Sequence, residues 1–389
     1  MNKTKIITRT IFVLSVVSLL NDISSEMLYP VMPLFLQSIG FSTVLIGVLE
    51  GFAEAIAGLS KMYFGRMSDS MSKRMPMVRA GYLLSAISKP MMAVLTFPLW
   101  VFSARTLDRL GKGIRTGARD ALLSDETTAE HKATVFGFHR AFDTIGAATG
   151  PLMALIWLQF HPTDYKTLFL LAFLPAICSV AFTFFIREQK KEISIAPPIP
   201  FLEKFLYWKK SPAAFKQLMI GLLFFGLINS SDLFLLLRAK QITGNDSAVI
   251  LAYILYNLVY ALLAFPLGKL ADRIGMKKII VAGFFLFAIV YAGMSVAQNV
   301  IWIVALLILY GIYAAATEGV SKALISNIVP AGETASAIGF FTGWNSIATL
   351  VASSATGFIW YAASPEIAFA LSAGGSMIAA IYLAGRKLV

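Results

Sequence analysis

FSARTLDRLGKGIRTGARDALL, residues 102–123, is the stretch on which the fold turns. It is long and apolar enough to cross a membrane, yet it carries Arg105, Asp108, Arg109, Lys112, Arg115, Arg119 and Asp120. At ~100° per residue, all of these charges fall within an arc of roughly 140° on a helix. A charge at the bilayer centre costs at least ~2.5 kcal/mol. A charged stripe on a spanning helix must therefore face protein or a water-filled cavity rather than lipid. The rest of the chain has to supply the walls around it.

The composition agrees. Of 389 residues, 58% are hydrophobic and only 14% charged, where a soluble domain carries about a quarter charged residues. Mean hydropathy is +0.74. At ~20–25 residues per span plus short loops, there is room for about twelve helices. The apolar segments place them near 8–36, 43–64, 76–98, 101–123, 134–158, 166–186, 214–237, 247–268, 277–297, 300–327, 333–360 and 366–385. The expected fold class is all-α and integral to the membrane.

The formal charge of +12 invites a nucleic-acid partner, but its distribution argues against one. Basic residues cluster in alternate connections: Lys3, Lys5 and Arg9; Arg66, Lys73 and Arg74; Lys132; Arg187 to Lys210; Lys269, Arg273, Lys277 and Lys278; Arg386 and Lys387. The other connections near 37–43, 298–300 and 362–365 carry no Lys or Arg, and Arg238 and Lys240 are the main exception. The positive-inside rule puts both termini and the basic loops in the cytoplasm. The basic-then-apolar start has no small-residue cleavage site and reads as an uncleaved first helix. Cys178 is the one cysteine, expected as a small core residue, so neither a disulfide framework nor a thiolate metal site is available.

Helix 1 places Asp22 and Glu26 one turn apart near mid-membrane, with Pro30 and Pro33 expected to kink its outer half. Helix 2 carries Glu50, Glu54 and Lys61 on one narrow arc and leads into a polar loop from Gly65 to Arg74. Helix 5 carries His139, Arg140 and Asp143, then Gly146, Gly150 and Pro151, a small-residue run that admits close helix approach. Residues 187–213 form the one linker, dividing a first bundle (1–186) from a second (214–389). Its end, FLEKFLYWKK at 201–210, mixes aromatics and lysines as an interfacial helix does.

The second half repeats the first. Asn229-Ser230-Ser231-Asp232 echoes Ser24-Ser25-Glu26, and Gly268 to Lys278 follows helix 8 as the Gly65 loop follows helix 2. Val320 to Asn327 matches Ala118 to Asp125, and Gly339, Phe340 and Asn345 match Gly137, Phe138 and Asp143 at the same offset. Tyr253 and Asn257 stand where Glu50 and Glu54 fall in the repeat. Two like-oriented halves of six helices follow from this.

The paired loops carry a family resemblance. Gly268 to Lys278 fits G-x-L-(A/G/S)-D-R-x-G-x-(R/K)-(R/K), with Asp272, Arg273 and Lys277 in place. The first copy keeps Gly65, Asp69, Lys73 and Arg74 but has Ser70 and Ser72 where a basic residue and a glycine are usual. Over its whole length the chain resembles the major facilitator superfamily. Arg109-Leu110-Gly111-Lys112-Gly113 looks like the helix 4 signature R-x-x-Q-G, with Lys112 for the glutamine. Gly146-x-x-x-Gly150-Pro151-x-x-Ala154 looks like the helix 5 signature of proton-driven exporters, with Ala154 for a glycine. The resemblance implies two six-helix bundles rocking about a central cavity, a monomer, and a proton gradient as energy source with no cofactor. It implies that Asp69 and Asp272 hold the cytoplasmic side shut, by pairing with arginines or capping a helix N-terminus.

Asp22 and Glu26 read as proton acceptors tuned by Arg109, or as a structural network neutralising Arg109 and Lys112. Asp143 is a further coupling candidate. Arg109 and Lys112 either tune the acids or hold an anion. Arg115 and Arg119 are expected to snorkel or to pair with the Asp69 loop. Glu50, Glu54, Arg105, His139 and Arg140 complete the polar set of the first half. The second half offers Asn229, Asp232, Tyr253, Asn257, Tyr310, Glu318, Trp344 and Asn345, with Lys322 a turn from Glu318. An enzyme is not expected: the chain has no Walker A loop, H-x-x-x-H, C-x-x-C or G-x-S-x-G. The resulting expectation is a proton-coupled exporter of a small amphipathic or organic molecule in an inner membrane. Uptake of an organic anion and a lipid flippase or scramblase are the alternatives, and only small molecules and membrane lipid are expected partners.

Overall fold

The computed structural model describes residues 6–29, 31–41, 43–188, 207–244 and 246–387. Side chains are described at those positions other than 33, 34, 37, 43–48, 50, 51, 54, 55, 233 and 246–252. The helices are α1 (Arg9–Leu28), α2 (Met32–Ser38), α3 (Thr43–Asp69), α4 (Met75–Val94), α5 (Pro98–Asp125), α6 (Lys132–Phe160), α7 (Tyr165–Phe182) and the short α8 (Tyr207–Lys210). They continue as α9 (Ala213–Gly226), α10 (Leu233–Thr243), α11 (Asp246–Ile274), α12 (Met276–Val296), α13 (Val300–Ile328), α14 (Thr334–Ala362) and α15 (Pro365–Ala384). The described residues contain no strand. Helices α1, α6, α7, α11, α12, α13, α14 and α15 are long and apolar enough to cross a membrane.

Local chemistry starts these helices where it should. Thr8, Asp164, Asn299 and Ser364 each accept a hydrogen bond from the backbone N–H three residues on, which satisfies an otherwise orphaned donor. Proline opens α4 and α5, where its missing N–H costs nothing.

Two of the expected helices are broken. The first stops at Leu28 and resumes at Met32; Pro33 falls in the first turn of the second piece, where a proline is tolerated, and Pro30, expected to kink the helix, lies outside the described residues. The seventh stops at Gly226 and resumes at Leu233. Its gap contains Asn229, Ser230, Ser231 and Asp232, residue types that disfavour a helix interior. There the Ser231 N–H donates to Ser353 Oγ at 3.0 Å. Most of the expected interfacial helix at 201–210 lies outside the described residues, which resume with α8.

The chain forms two compact units. The first comprises residues up to Thr127, Phe142–Lys209 and Pro330–Gly343; the second comprises Thr128–Ala141, Lys210–Val329 and Trp344 onward. Each thus takes in a short helix start from the opposite half of the chain. In the first unit α5 packs between α3 and α4, and α7 packs on α4 and α1. Lipid offers no hydrophobic drive for helices to associate, so close backbone approach matters. A methyl group added to Gly111 of α5 would lie 2.5 Å from the Gly81 carbonyl oxygen of α4. In the second unit α12 packs on α13 and α15, and α11 packs on α13 and α10. Its interior is aromatic, with Phe225 stacked on Phe284 and Phe287 on Tyr291, both at 3.9 Å between centroids.

Cys178 lies on the exposed face of α7 rather than in the core. That helix is apolar all round, so its sequence carries no periodic signal to say which face is inside.

Candidate functional site

The charged stripe of α5 is buried in the first unit. Arg105, Asp108, Arg109, Arg115, Arg119 and Asp120 are all buried, whereas Lys112 is exposed. Asp108 accepts from Lys89 Nζ of α4 at 2.7 Å and has Arg105 Nη1 at 3.7 Å. Arg115 donates to Ser85 Oγ at 2.7 Å and lies 4.6 Å over the Tyr82 ring. Arg119 donates to Asp120 and to Ser18 Oγ of α1, at 3.0 and 2.7 Å. Arg115 and Arg119 therefore do not snorkel outward; α4 and α1 supply hydroxyls and an aromatic face, and α5 itself supplies the Asp120 carboxylate.

The stripe opens onto a cleft lined by Asp22, Ser25, Glu26, Tyr29, Arg105, Asp108, Arg109, Lys112 and Arg115. Asp22 and Glu26 come from α1, and α6 fixes their position. A methyl group on Gly150 would lie 2.6 Å from the Ile23 carbonyl oxygen, and one on Gly146 would lie 2.8 Å from that of Leu19. The glycine pair thus seats α6 on the turn of α1 that bears Asp22 and Glu26. The charges acting on Asp22 are Asp143 and Glu26 of like sign, and Lys112 and Arg119 of opposite sign. Asp143 and His139 are buried on α6. The side chains of Glu50 and Glu54 lie outside the described residues.

The second unit holds a different polar cluster. Asp232 accepts from Tyr256 and Tyr310 hydroxyls, both at 2.6 Å. Asn229 Nδ2 donates to the Tyr313 hydroxyl at 3.1 Å, and Asn257 is buried, donating to the Tyr253 carbonyl. Arg140 donates to Glu318 and to the Tyr260 hydroxyl. Asn345 packs where a methyl group on Gly226 would meet its Oδ1 at 2.7 Å, and Trp344 is exposed.

The signature loops form two matching latches. The Asp69 carboxylate accepts from the Ala335 and Ser336 N–H groups at 3.2 and 2.6 Å, at the start of α14. Asp272 accepts from the Ala133 and Thr134 N–H groups at 3.0 and 2.7 Å, at the start of α6, and from the Thr134 hydroxyl. Both carboxylates therefore sit on orphaned donors at the positive end of a helix dipole. Asp69 also binds Arg74 at 2.7 Å, and Arg74 in turn reaches Asp125 at 3.3 Å. The Arg74 and Met75 N–H groups donate to Glu188 at 2.7 and 2.9 Å. Arg273 is exposed, and Lys277 Nζ donates to the carbonyls of Ala384 and Arg386 at the end of α15.

The family model of the Major Facilitator Superfamily matches residues 14–241 and 233–388. The chain belongs to the major facilitator superfamily. It is therefore a multi-pass membrane transporter of small molecules rather than an enzyme. An uncharacterised MFS-type transporter of Methanocaldococcus jannaschii is 31% identical over 96% of this chain and 93% of its own. The multi-drug resistance efflux pump PmrA of Streptococcus pneumoniae is 22% identical over 80% of this chain and 79% of its own. The crystal structure of the human organic anion transporter MFSD10 superposes with a TM-score of 0.82 at 14% identity, covering 96% of this chain and 99% of that one. That of the fucose:proton symporter FucP of E. coli gives 0.75 at 12%, covering 97% and 98%. These likenesses establish the fold.

Two residues of this transporter went unnoticed in the sequence. Lys89 neutralises Asp108, and Glu188 caps the start of α4. A lone lysine inside an apolar segment, next to Pro90, was a signal for the first; nothing in the polar linker marked the second.

The latches make a direct prediction. Asp272→Ala removes the acceptor for the first turn of α6, and loss of such a cap costs about 1–2 kcal/mol. Amide hydrogen exchange at Ala133 and Thr134 will then quicken by roughly tenfold. Unchanged exchange there would sink the latch.

Proposed function

We propose that this major facilitator is a proton-coupled exporter of a small amphipathic or organic molecule. Its twelve spans form two six-helix bundles in an inner membrane, with both termini cytoplasmic. The observation that carries this is the cleft of the first unit, where Asp22 and Glu26 face Arg105, Arg109 and Lys112. Carboxylates beside guanidinium groups in a partly dry cleft have protonation states sensitive to any arriving charge. Substrate arrival changes that balance, which is how proton and substrate compete. Likeness to PmrA supports the outward direction. The energy source is the proton gradient, and Arg109 modulates the acids.

A second reading has its own observation. The cations lining the cleft outnumber the acids, and Asp108 is already neutralised by Lys89. An organic anion clamped by Arg109 and Lys112 fits that excess.

One experiment separates them. Everted vesicles with an established pH gradient receive amphipathic cations, neutral compounds and organic anions one at a time. A compound that dissipates the gradient in wild type, but about tenfold less in Asp22→Asn or Glu26→Gln, supports antiport. Anions moving together with the proton support the second reading. Full coupling in both variants removes the acids from the mechanism and points to Asp143, Glu50 and Glu54.

A further inference from the structure

The gap between α9 and α10 ends on Asp232, the residue before the first turn of α10. An aspartate at that position normally bonds the N–H groups of its own helix, yet Asp232 makes no such bond. Its carboxylate turns instead to the Tyr256 and Tyr310 hydroxyls, one on each oxygen. Several described acids of the helices answer to a cation: Asp108 to Lys89, Asp120 to Arg119 and Glu318 to Arg140. Among the described residues no such ion pair forms at Asp232, although the charges of Arg140 and Glu318 act on it with opposite sign. Its partners are neutral hydroxyls, which orient a negative charge without cancelling it.

The two tyrosines that hold this carboxylate belong to an aromatic cluster. Tyr253 lies 5.4 Å from Tyr256, Tyr256 5.5 Å from Tyr310, and Tyr310 5.2 Å from Tyr313, centroid to centroid. Tyr291 and Phe287 complete the wall, each 6.5 Å from Tyr310. Asp232 and Tyr253 keep partial exposure, while Tyr256 and Tyr310 are buried. An ionised carboxylate offers about four lone-pair sites, and the hydroxyls take two of them. Ring faces attract cations, most strongly where water is excluded.

We infer that Asp232, with Tyr253, Tyr256 and Tyr310, forms a binding site for organic cations, lipophilic ammonium or phosphonium ions in particular. The inference deepens the exporter reading and rests on it, by naming the charge of the molecule carried. It assigns the two units different work: the first exchanges protons in its basic cleft, and the second reads the substrate's charge.

The test is equilibrium binding to the purified full-length protein in detergent, with no gradient present. Tetraphenylphosphonium is compared with tetraphenylborate, an ion of the same shape and opposite charge. Wild type is expected to bind the cation. Asp232→Asn is expected to lose about tenfold in affinity for the cation, and Asp232→Glu to stay within a few-fold. Because the basic cleft of the first unit can take the anion, the cation alone decides: its failure to bind wild type overturns the site whether or not the variant folds. So does wild-type affinity for the cation in Asp232→Asn. Because no proton moves in this assay, failure of coupling at Asp22 and Glu26 leaves its result untouched. A cation bound through Asp232 that never dissipates a gradient would sink the exporter reading alone.

Discussion

Lys89→Met will destabilise this transporter by about 3–5 kcal/mol, the usual cost of removing one partner from a buried ion pair. Lys89 and Asp108 are 2% and 6% exposed, and their 2.7 Å contact joins α4 to α5. Methionine keeps the length of the side chain and removes its charge, leaving Asp108 with Arg105 at 3.7 Å. Arg105 also lines the cleft, so turning it toward Asp108 would remove a cation from the proposed coupling site. The measurement is the unfolding midpoint in detergent. The double variant Lys89→Met/Asp108→Leu should recover most of the loss, since two apolar side chains can replace a buried pair at little cost. A single variant as stable as wild type would show that the pair is solvated and idle.

Gly268→Val will stop transport for a steric reason. A methyl group at Gly268 would sit 2.3 Å from the Ala133 carbonyl oxygen and 3.3 Å from Gly137 Cα. The obstacle is backbone, which cannot step aside as a side chain does. Helices α11 and α6 must then separate, and the Asp272 carboxylate leaves the N–H groups of Ala133 and Thr134. Overpacking of this kind costs about 1–3 kcal/mol, and transport in vesicles should fall by about tenfold or more. Gly65→Val should behave alike, since its methyl would lie 2.4 Å from the Ala335 carbonyl oxygen. Gly374→Ala is the control, because nothing lies within 4 Å of its added carbon. Normal transport by Gly268→Val would mean that this contact is not needed in the working cycle.

The glycines also explain why the signature loops were readable in advance. Gly65 and Gly268 each meet the backbone of a helix start that is itself repeated, near Gly339 and Gly137. Both sides of each contact recur at matching places in the two halves. A repeat in the sequence therefore recorded a repeat in the packing. The expectation that Asp69 and Asp272 either pair with arginine or cap a helix resolves unevenly: Asp69 does both, whereas Asp272 caps and accepts a threonine hydroxyl.

Periodicity and composition were sufficient for the membrane class, the all-helical fold and the burial of most of the α5 stripe. Those properties depend on which face of a helix a residue occupies, and spacing along the chain records that directly. Partners across helices left no such record. Lys89 meets Asp108 because α4 and α5 cross at Gly81 and Gly111. Glu318 meets Arg140 from 178 positions away. Asp232 turns from its own helix to tyrosines on α11 and α13. Cys178 lies outside because α7 is apolar on every side. Each of these was settled by how the helices pack, since a helix face can be read from spacing but the neighbour it meets depends on angles and approaches set by small residues elsewhere in the chain.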